Sequence, residues 1–247
     1  MTRVLCALAG VALATSVASA QWSDNFDSYA SNVNINGQGG WQGWGGTAAA
    51  APVTSTAQFI SGPNSINVSV ANGSDNVHLY TGVTTGWWEY TANVYVPTAF
   101  TGDSYFILLN QYSNAGPWNW SIEYQLNGTT NTFSDDYTNG TATVSGPGNS
   151  RTGSNLALIR NAWTQIRVDF NPATNQMITF YNGAVVSSGS WKTSATSLAD
   201  LAAVDLFANA GTGGVYYDNL SLAQIPSPAS FALLGLGGLV ASRRRRA

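Results

Sequence analysis

Short segments in which hydrophobic and polar residues alternate recur along the middle of the chain, separated by Gly, Asn, Ser and Thr. Alternation with a period of two predicts β-strands that bury one face. The clearest example is Trp118–Leu126, in which aromatic and aliphatic residues alternate with polar ones. This pattern predicts that Trp118 and Trp120 point into the core and that Glu123 points away from it. Because no amphipathic helical pattern lasts ten residues, we expect an all-β protein.

Further strands are predicted between the breaks. They are Ser65–Val70, Trp87–Val96, Ser104–Tyr112, Trp163–Phe170, Met177–Tyr181, Ala184–Ser187, Ala203–Ala208 and Val215–Leu222. Asn182-Gly183 is the dipeptide typical of a type I′ hairpin turn. Ser104–Tyr112 is more apolar along its length than the other segments, as a strand buried on both faces would be. Residues 143–155 are expected to form a long surface loop. About ten to twelve antiparallel strands favour one domain of two packed sheets.

The N-terminus differs from this body. Thr2-Arg3 is followed by the apolar run Val4–Ala14, and Ala18-Ser19-Ala20 is an A-x-A cleavage site. These features predict that residues 1–20 are a secretory signal peptide. Cys6, the one cysteine of the sequence, lies inside it. The mature protein is therefore expected to have no disulfide.

The C-terminus, residues 225–247, combines a Pro-rich break, an apolar run and an arginine cluster. The apolar run Ala229–Val240 would span about 18 Å as a helix, short of a ~30 Å hydrocarbon core. This order of parts resembles the PEP-CTERM sorting tail of exported bacterial proteins, with Ser227 where that family has Glu. The motif residues are Pro226, Ser227, Pro228, Arg243, Arg244, Arg245 and Arg246. The resemblance implies recognition by export and sorting machinery, transient membrane retention, and delivery to the surface or extracellular matrix of a Gram-negative-type bacterium.

Removing both terminal segments changes the charge of the chain. Five of the nine basic residues lie in them, which leaves four basic residues against twelve acidic ones, a net charge of −8. The four are Arg151, Arg160, Arg167 and Lys192. This charge disfavours nucleic-acid binding, since phosphates require a basic face. A strongly acidic body is compatible with neutral partners such as sugars, or with divalent cations.

Five segments of the body resemble concanavalin A-like and laminin-G-like jelly rolls. They are Asp24–Tyr29, Gly37–Trp41, Trp163–Asp169, Phe180–Gly183 and Val215–Leu222. The resemblance implies that residues 21–224 form a two-sheet antiparallel jelly-roll sandwich. Because this fold serves lectins, hydrolases, lyases and passive spacers, it does not by itself assign a function.

Jelly rolls of this type often hold a structural calcium ion between the first and last strands. Asp24 and Asp27 open the domain and Asp218 closes it, so these three are candidate Ca²⁺ ligands. The alternative is that they cap strand ends and accept hydrogen bonds from loop amides.

Sugar binding requires exposed aromatic rings close to polar groups. Trp41 and Trp44 lie in a Gly-rich loop, where we expect exposure. A common polar face of the front sheet is predicted to carry Trp87, Asn93, Tyr95, Asn119, Glu123 and Gln125, with His78 as a further ligand-binding candidate. The sequence thus favours a non-catalytic protein that binds extracellular polysaccharide or structures the matrix, with no catalytic residue assigned.

Two enzymatic alternatives and a spacer without a ligand stay open. A hydrolase would need a carboxylate pair, but Glu89 and Glu123 both lack an acid two residues later. A lyase of this fold would use a His and a Tyr with Arg and amide partners. His78, Tyr80, Arg167 and Gln125 supply these residue types, so a lyase is favoured over a hydrolase. One His and no mature Cys argue against zinc and haem sites.

Overall fold

Alternating strands build two antiparallel sheets, which confirms the predicted jelly-roll class. The structure is a computed structural model that describes residues 20–138 and 143–225. The predicted signal peptide, apart from Ala20, and the sorting motif from Pro226 onward lie outside the described residues. Within the described ranges, no helix is long and apolar enough to cross a membrane.

The described chain forms more strands than predicted, because several are only two to five residues long. They are β1 (Ala20–Asp24), β2 (Trp41–Gly43), β3 (Val53–Ser55), β4 (Ser65–Val68), β5 (Asp75–Leu79), β6 (Trp87–Tyr95), β7 (Asp103–Gln111), β8 (Asn119–Asn127), β9 (Thr132–Asp135), β10 (Thr143–Gly146), β11 (Asn149–Gly153), β12 (Leu156–Ala157), β13 (Trp163–Asn171), β14 (Gln176–Tyr181), β15 (Ala184–Gly189), β16 (Ala203–Ala210) and β17 (Val215–Ile225). Short 3₁₀ helices lie at Trp44–Gly46, Ala48–Ala50 and Asp136–Thr138.

The ten-stranded sheet has the order β10-β11-β15-β14-β13-β6-β17-β4-β3, and β1 also pairs with β17. The seven-stranded sheet, which we call the front sheet, has the order β12-β9-β8-β7-β16-β5-β2. The first and last strands are neighbours, with Ala20 opposite Ala223 and Asp24 opposite Leu220. The predicted signal-peptide cleavage site and the start of the predicted sorting tail therefore meet at one end of the ten-stranded sheet.

The core lies between the sheets and follows the predicted alternation closely. In β6, Trp88, Tyr90, Ala92 and Val94 are buried, and β13 buries Ile166, Val168 and Phe170 opposite them. The predicted hairpin at Asn182-Gly183 is also confirmed, since both residues have positive φ. The first predicted strand is shorter than expected, because the chain turns after Val68 and leaves Val70 exposed.

The strand predicted to be buried on both faces is β7. Its inward residues, including Phe106 and Leu108, belong to the main core. Its outward residues Ile107 and Leu109 form a second buried cluster with Val77 and Ala203. Aromatic side chains cover this second cluster on the outer face of the front sheet. The front sheet therefore has apolar packing on both of its faces.

Residues 143–155 are not the predicted surface loop. They form the hairpin β10–β11, and the Arg151 side chain enters the interior with 1% exposure. Its Nε donates to Ser190 O over 2.8 Å, and its Nη2 donates to Ser121 O and to Trp191 O. Its Nη1 lies 3.8 Å from Asp135 Oδ1, also fully buried. The composition of residues 143–155 predicted a loop. The tertiary contacts of the buried Arg151 guanidinium instead stabilise the segment as two strands.

A bulge in β8 reverses the predicted alternation. Leu108 is opposite Ile122 while Leu109 is opposite Trp120, so Ser121 has no partner in β7. Pairing with β9 begins only at Tyr124. Ile122, Tyr124 and Leu126 point inward as predicted. The extra residue shifts the alternation by one position before the bulge, so the residues at the start of the strand point to the opposite face from the predicted one. Trp118, 42% exposed, and Trp120 therefore lie on the outer face rather than in the core.

The buried ion pair yields a stability prediction. We expect Arg151→Met to lower the free energy of unfolding by about 3–5 kcal/mol, because it leaves Asp135 buried without a counter-ion. Arg151→Met combined with Asp135→Leu should recover part of that loss. Arg167→Met, at a partly exposed ion pair, is the control and should cost about 1 kcal/mol or less. Urea denaturation measures all three, and equal costs for the two single arginine variants would contradict the assignment.

Candidate functional site

The outer face of the front sheet carries a pocket of about 310 Å³, which we call the front pocket. Its lining residues are Trp44, Asp75, Ile107, Trp120, Glu123, Tyr137, Asp205 and Phe207. They come from β5, β7, β8 and β16 of the sheet and from the two 3₁₀ helices at residues 44–46 and 136–138. The pocket is therefore built on sheet positions and completed by two short segments above them.

The register between neighbouring strands shows which residues lie at the centre of the front pocket. Asp205 of β16 is opposite Ile107 of β7, and Ile107 is opposite Glu123 of β8. All three residues point outward, because their neighbours in each strand are core residues. Neighbouring strands lie ~4.8 Å apart, so the Cα atoms of Asp205 and Glu123 are separated by about 10 Å. Ile107 forms an apolar floor with a carboxyl group on either side.

Aromatic rings form one wall of the front pocket. The Trp44 and Trp120 rings are nearly parallel, with an interplanar angle of 16° and centroids 6.3 Å apart. Tyr112 and Trp118 pack against Trp44 with centroids at 4.9 and 5.3 Å. Gly45, at φ 64°, bends the segment in a left-handed conformation that favours glycine, and its N–H donates to Tyr112 Oη over 3.0 Å. These contacts hold Trp44 over the sheet beside Trp120.

Asp75 and Asp205 form a close carboxyl pair. Asp205 is 3% exposed. Among the described residues, no N–H or O–H group donates to its Oδ1 or to Asp75 Oδ1. The two carboxyl groups are close enough that the charge on Asp75 disfavours ionisation of Asp205. Burial raises the pKa of Asp75 to about 6. Burial, and then repulsion from Asp75 and Glu123, raise the pKa of Asp205 far above its usual range.

Glu123 lies across Ile107 from this pair and is half-buried. Burial, with repulsion from Asp136 and Asp135, raises its pKa to about 7. The front pocket thus contains three carboxyl groups whose ionisation is disfavoured by burial, with repulsion from neighbouring acids added at Glu123 and Asp205.

The residues predicted to share one polar face lie on two different sheets. Trp87, Asn93 and Tyr95 belong to β6 in the ten-stranded sheet, whereas Asn119, Glu123 and Gln125 belong to β8 in the front sheet. That prediction is wrong because alternation shows which residues of a strand share a face, but not which sheet the strand joins. On the outer face of the ten-stranded sheet, Tyr95 contacts Trp163 and Tyr216 with centroids at 5.6 and 6.2 Å.

Two predicted glycan ligands are buried between the sheets. Trp41 is 1% exposed and its Nε1 donates to Asp24 Oδ2 over 2.8 Å, so the predicted exposure is wrong. His78 packs 4.4 Å from Trp22 and 5.2 Å from Trp41 between ring centroids. Burial lowers the pKa of His78 to about 4, so its ring is neutral at pH 7. The glycines around Trp41 suggested a loose loop, whereas this residue forms part of a strand.

The amide candidates on β8 have partners within the fold. Asn119 Oδ1 accepts from Asn110 Nδ2 over 2.9 Å and from Ser197 Oγ over 2.8 Å. Gln125 lies on the outer face, where its Nε2 donates to Asp103 and Tyr105 over 3.1 Å. Of the predicted ligand-binding residues, Trp44 and Glu123 line the front pocket.

Neither enzymatic residue set is brought together. Glu89 lies on β6 beside Arg167, at 3.8 Å, whereas Glu123 is on the front sheet, so they form no carboxylate pair. His78 and Tyr80 are neighbours with ring centroids 4.8 Å apart, but both are buried. Arg167 lies on β13 in the ten-stranded sheet and Gln125 on β8 in the front sheet. The four residues of the lyase set therefore lie in three separate places.

The carboxylates predicted to bind calcium accept hydrogen bonds from the protein. Asp24 Oδ1 accepts from Phe26 N over 2.8 Å, and Oδ2 accepts from Trp41 and Tyr29. Asp218 accepts from Ile60 N and Asn219 N, each over 2.7 Å. Asp27 accepts from Asn25 and from the Asn64 N–H. Within residues 20–138 and 143–225, no three His, Cys, Asp or Glu residues are arranged to hold a metal. These hydrogen bonds are the ones that the alternative predicts, in which the carboxylates accept from backbone amides and neighbouring side chains.

Sequence reasoning missed Asp75 and Asp205. Both stand at outward positions of strands, and Asp205 is the one acid in the apolar segment Ala203–Ala208. A carboxylate in such a segment was the available signal, because burying one without a cation is unfavourable. Trp120 was assigned to the core because the bulge was not foreseen.

Comparisons with known proteins show the fold. No protein-family model matches the chain, and no curated protein matches it. The T. cruzi calreticulin globular domain is similar with TM-score 0.56 and 9% identity, over 90% of this chain and 95% of that one. A carbohydrate esterase from the Shiga toxin-encoding bacteriophage phi24B has TM-score 0.55 and 12% identity, over 85% and 100%. The cellulose-induced protein Cip1 has TM-score 0.50 and 17% identity, over 83% and 98%. The chain therefore shares with these proteins the fold of a two-sheet antiparallel jelly-roll sandwich.

The hydrogen bonds that Asp24 and Asp218 accept predict how the melting temperature responds to metal removal. We expect a calcium chelator to leave the melting temperature unchanged, because Asp24 and Asp218 already accept N–H and O–H donors. Asp24→Asn should lower the melting temperature with or without chelator. The amide N–H₂ group would then face the N–H and O–H donors that bond to the Asp24 carboxylate in the wild type. A fall in melting temperature on chelation alone would contradict these assignments.

Glu123 predicts a pH dependence of stability. Its pKa rises from 4.5 to about 7 on folding, so the folded state holds its proton more tightly and stability falls as pH rises through that interval. We expect Glu123→Gln to reduce this loss by about 1 kcal/mol, because solvent screens a half-buried group. Urea denaturation at about pH 4.5 and about pH 8 measures the change. Glu89→Gln on the other sheet is the control, and an equal effect there would refute the role of Glu123.

Proposed function

We propose that the protein is a non-catalytic glycan-binding protein of the bacterial surface or extracellular matrix, and that the front pocket holds the sugar. The observation that carries the proposal is the arrangement of Trp44 and Trp120 beside the floor residue Ile107, with Glu123 and Asp205 flanking that floor. Ligand sites in proteins are typically concave and mostly apolar, with a few polar groups that fix orientation.

The chemistry of the pocket suits a pyranose ring. The C–H face of such a ring is apolar and packs against an indole face, while its hydroxyl groups donate hydrogen bonds to carboxylate oxygens. Trp44 and Trp120 offer the aromatic surface, and Glu123 and Asp75 offer acceptors at its edge. The jelly-roll fold supports this proposal at the level of fold alone.

Export is the second part of the proposal. It is supported by the A-x-A site at Ala18–Ala20 and by the order of Pro226-Ser227-Pro228, apolar run and arginines in the sequence. Sorting machinery would act on both termini, and the membrane would hold the tail only transiently. In the described body, Ala20 of β1 is opposite Ala223 of β17, so the residues next to the two predicted signals lie close together on the ten-stranded sheet.

A glycan array with purified protein tests the binding function. We expect binding of at least one class of polysaccharide, and a loss of about tenfold or more on Trp44→Ala, because removing a packed aromatic ring costs ~1.5 kcal/mol or more. Trp163→Ala is the matched control on the ten-stranded sheet and should bind like the wild type. It also tests the aromatic surface around Tyr95.

Three outcomes would count against the proposal. Failure to bind any glycan would favour the spacer, and a loss confined to Trp163→Ala would move the site to the other sheet. Release of reducing ends or unsaturated uronates from the bound polysaccharide would contradict the non-catalytic assignment.

A further inference from the structure

We propose that the front pocket selects a sugar that carries a positive charge, namely an amino sugar with a free ammonium group. The inference rests on the proposed glycan-binding function and names the ligand class of the same site.

The first observation is a buried carboxyl group with one oxygen that accepts no hydrogen bond. Asp205 is 3% exposed and lines the pocket, and no donor within the described ranges reaches its Oδ1. Its neighbour is the carboxyl group of Asp75, which also has an oxygen without a donor there. Glu123 adds a third carboxyl group across the floor. A buried acceptor without a donor costs free energy, so a ligand that donates hydrogen bonds there is stabilised.

The second observation is the position of the four basic residues of the body. Arg151 pairs with Asp135 inside the sandwich. Arg160 donates to the carbonyl groups of loops, including Pro97 and Gly128. Arg167 lies beside Glu89 and Asp169 on the ten-stranded sheet. Lys192 is not among the residues that line the pocket. The protein therefore supplies no counter-ion to these three carboxyl groups from the part of the chain that the structure describes.

An ammonium group matches this arrangement better than the other common sugar substituents. It has three donors and a positive charge, and charge-assisted hydrogen bonds are about twice as strong as neutral ones. The face of Trp44 or Trp120 would also attract the cation. A neutral hydroxyl group gains only the weaker hydrogen bond, and the carboxylate of a uronic acid is repelled by the carboxyl groups of the pocket that are ionised.

A bare divalent cation fits the pocket less well than a charged sugar. Calcium takes six to eight oxygen ligands, whereas Trp44, Ile107, Trp120 and Phe207 supply none from their side chains. The apolar walls instead match the carbon skeleton that carries the amine.

Titration calorimetry with matched oligosaccharides tests the inference. The probes are glucosamine oligomers with free amines, N-acetylglucosamine oligomers of equal length, and galacturonic acid oligomers. We expect the wild-type protein to bind the free-amine oligomer about tenfold or more tighter than the acetylated one, and the uronic acid oligomer most weakly. Raising the salt concentration should weaken the free-amine complex and leave the acetylated complex nearly unchanged.

Variants locate the preference. Glu123→Gln and Asp205→Asn should each reduce the ratio between free-amine and acetylated affinities, while Asp169→Asn on the ten-stranded sheet should leave the ratio unchanged. Because Asp205 is buried, its variant is interpreted only if its melting transition stays cooperative. Glu123 is half-buried and provides the same test independently.

The outcomes separate the two proposals. Equal affinity for free-amine and acetylated oligomers, or tighter binding of the uronic acid oligomer, overturns the charge preference and leaves glycan binding intact. Absence of binding to every oligosaccharide on the array and in calorimetry overturns both. A charge preference that survives Glu123→Gln and a folded Asp205→Asn would also overturn the inference.

Discussion

The contact between the Arg151 guanidinium and the Ser121 carbonyl group supports the bulge on which the front pocket depends. Ser121 has no partner in β7 and stands before the pairing with β9 begins. Its carbonyl group would be unsatisfied in the interior without a donor, and Arg151 Nη2 supplies one. The same arginine binds Ser190 and Trp191 and faces Asp135, so one buried cation connects β8, β9, β11 and the segment after β15. With the bulge held in this way, Ile122 stays in the core and Trp120 lies outside.

The front sheet contains both the irregular strand β8 and carboxyl groups that lower the stability of the folded state. Asp75, Glu123 and Asp205 are acids without a basic partner in the pocket, and their raised pKa values show that ionisation is unfavourable there. Apolar packing on both faces of β7, through Phe106 and Ile107, provides a sheet that can carry such a cluster. Clusters of acidic side chains that destabilise the folded protein are typical of functional sites, where a bound ligand supplies the missing hydrogen bonds or positive charge.

Most of the fold was predictable because its strands obey simple alternation. Trp87–Val96, Trp163–Phe170 and the Asn182-Gly183 hairpin were assigned correctly from local pattern and turn chemistry alone. The site was only partly predictable, since Trp44 and Glu123 were named but Trp120, Asp75 and Asp205 were not. A bulge depends on a distant arginine, and the division of strands between two sheets depends on pairings far apart in sequence. The buried positions of Trp41 and His78 likewise follow from tertiary packing that glycine-rich local sequence does not reveal.

The central claim is that the ligand surface lies on the front sheet between Trp44, Trp120 and the carboxyl groups. A crystal structure of the protein with a bound glucosamine oligomer tests it most directly. We expect a sugar ring against Trp44 or Trp120, with its amine within about 3 Å of an oxygen of Asp75, Asp205 or Glu123. A sugar bound instead against Tyr95 and Trp163 on the ten-stranded sheet would contradict the claim.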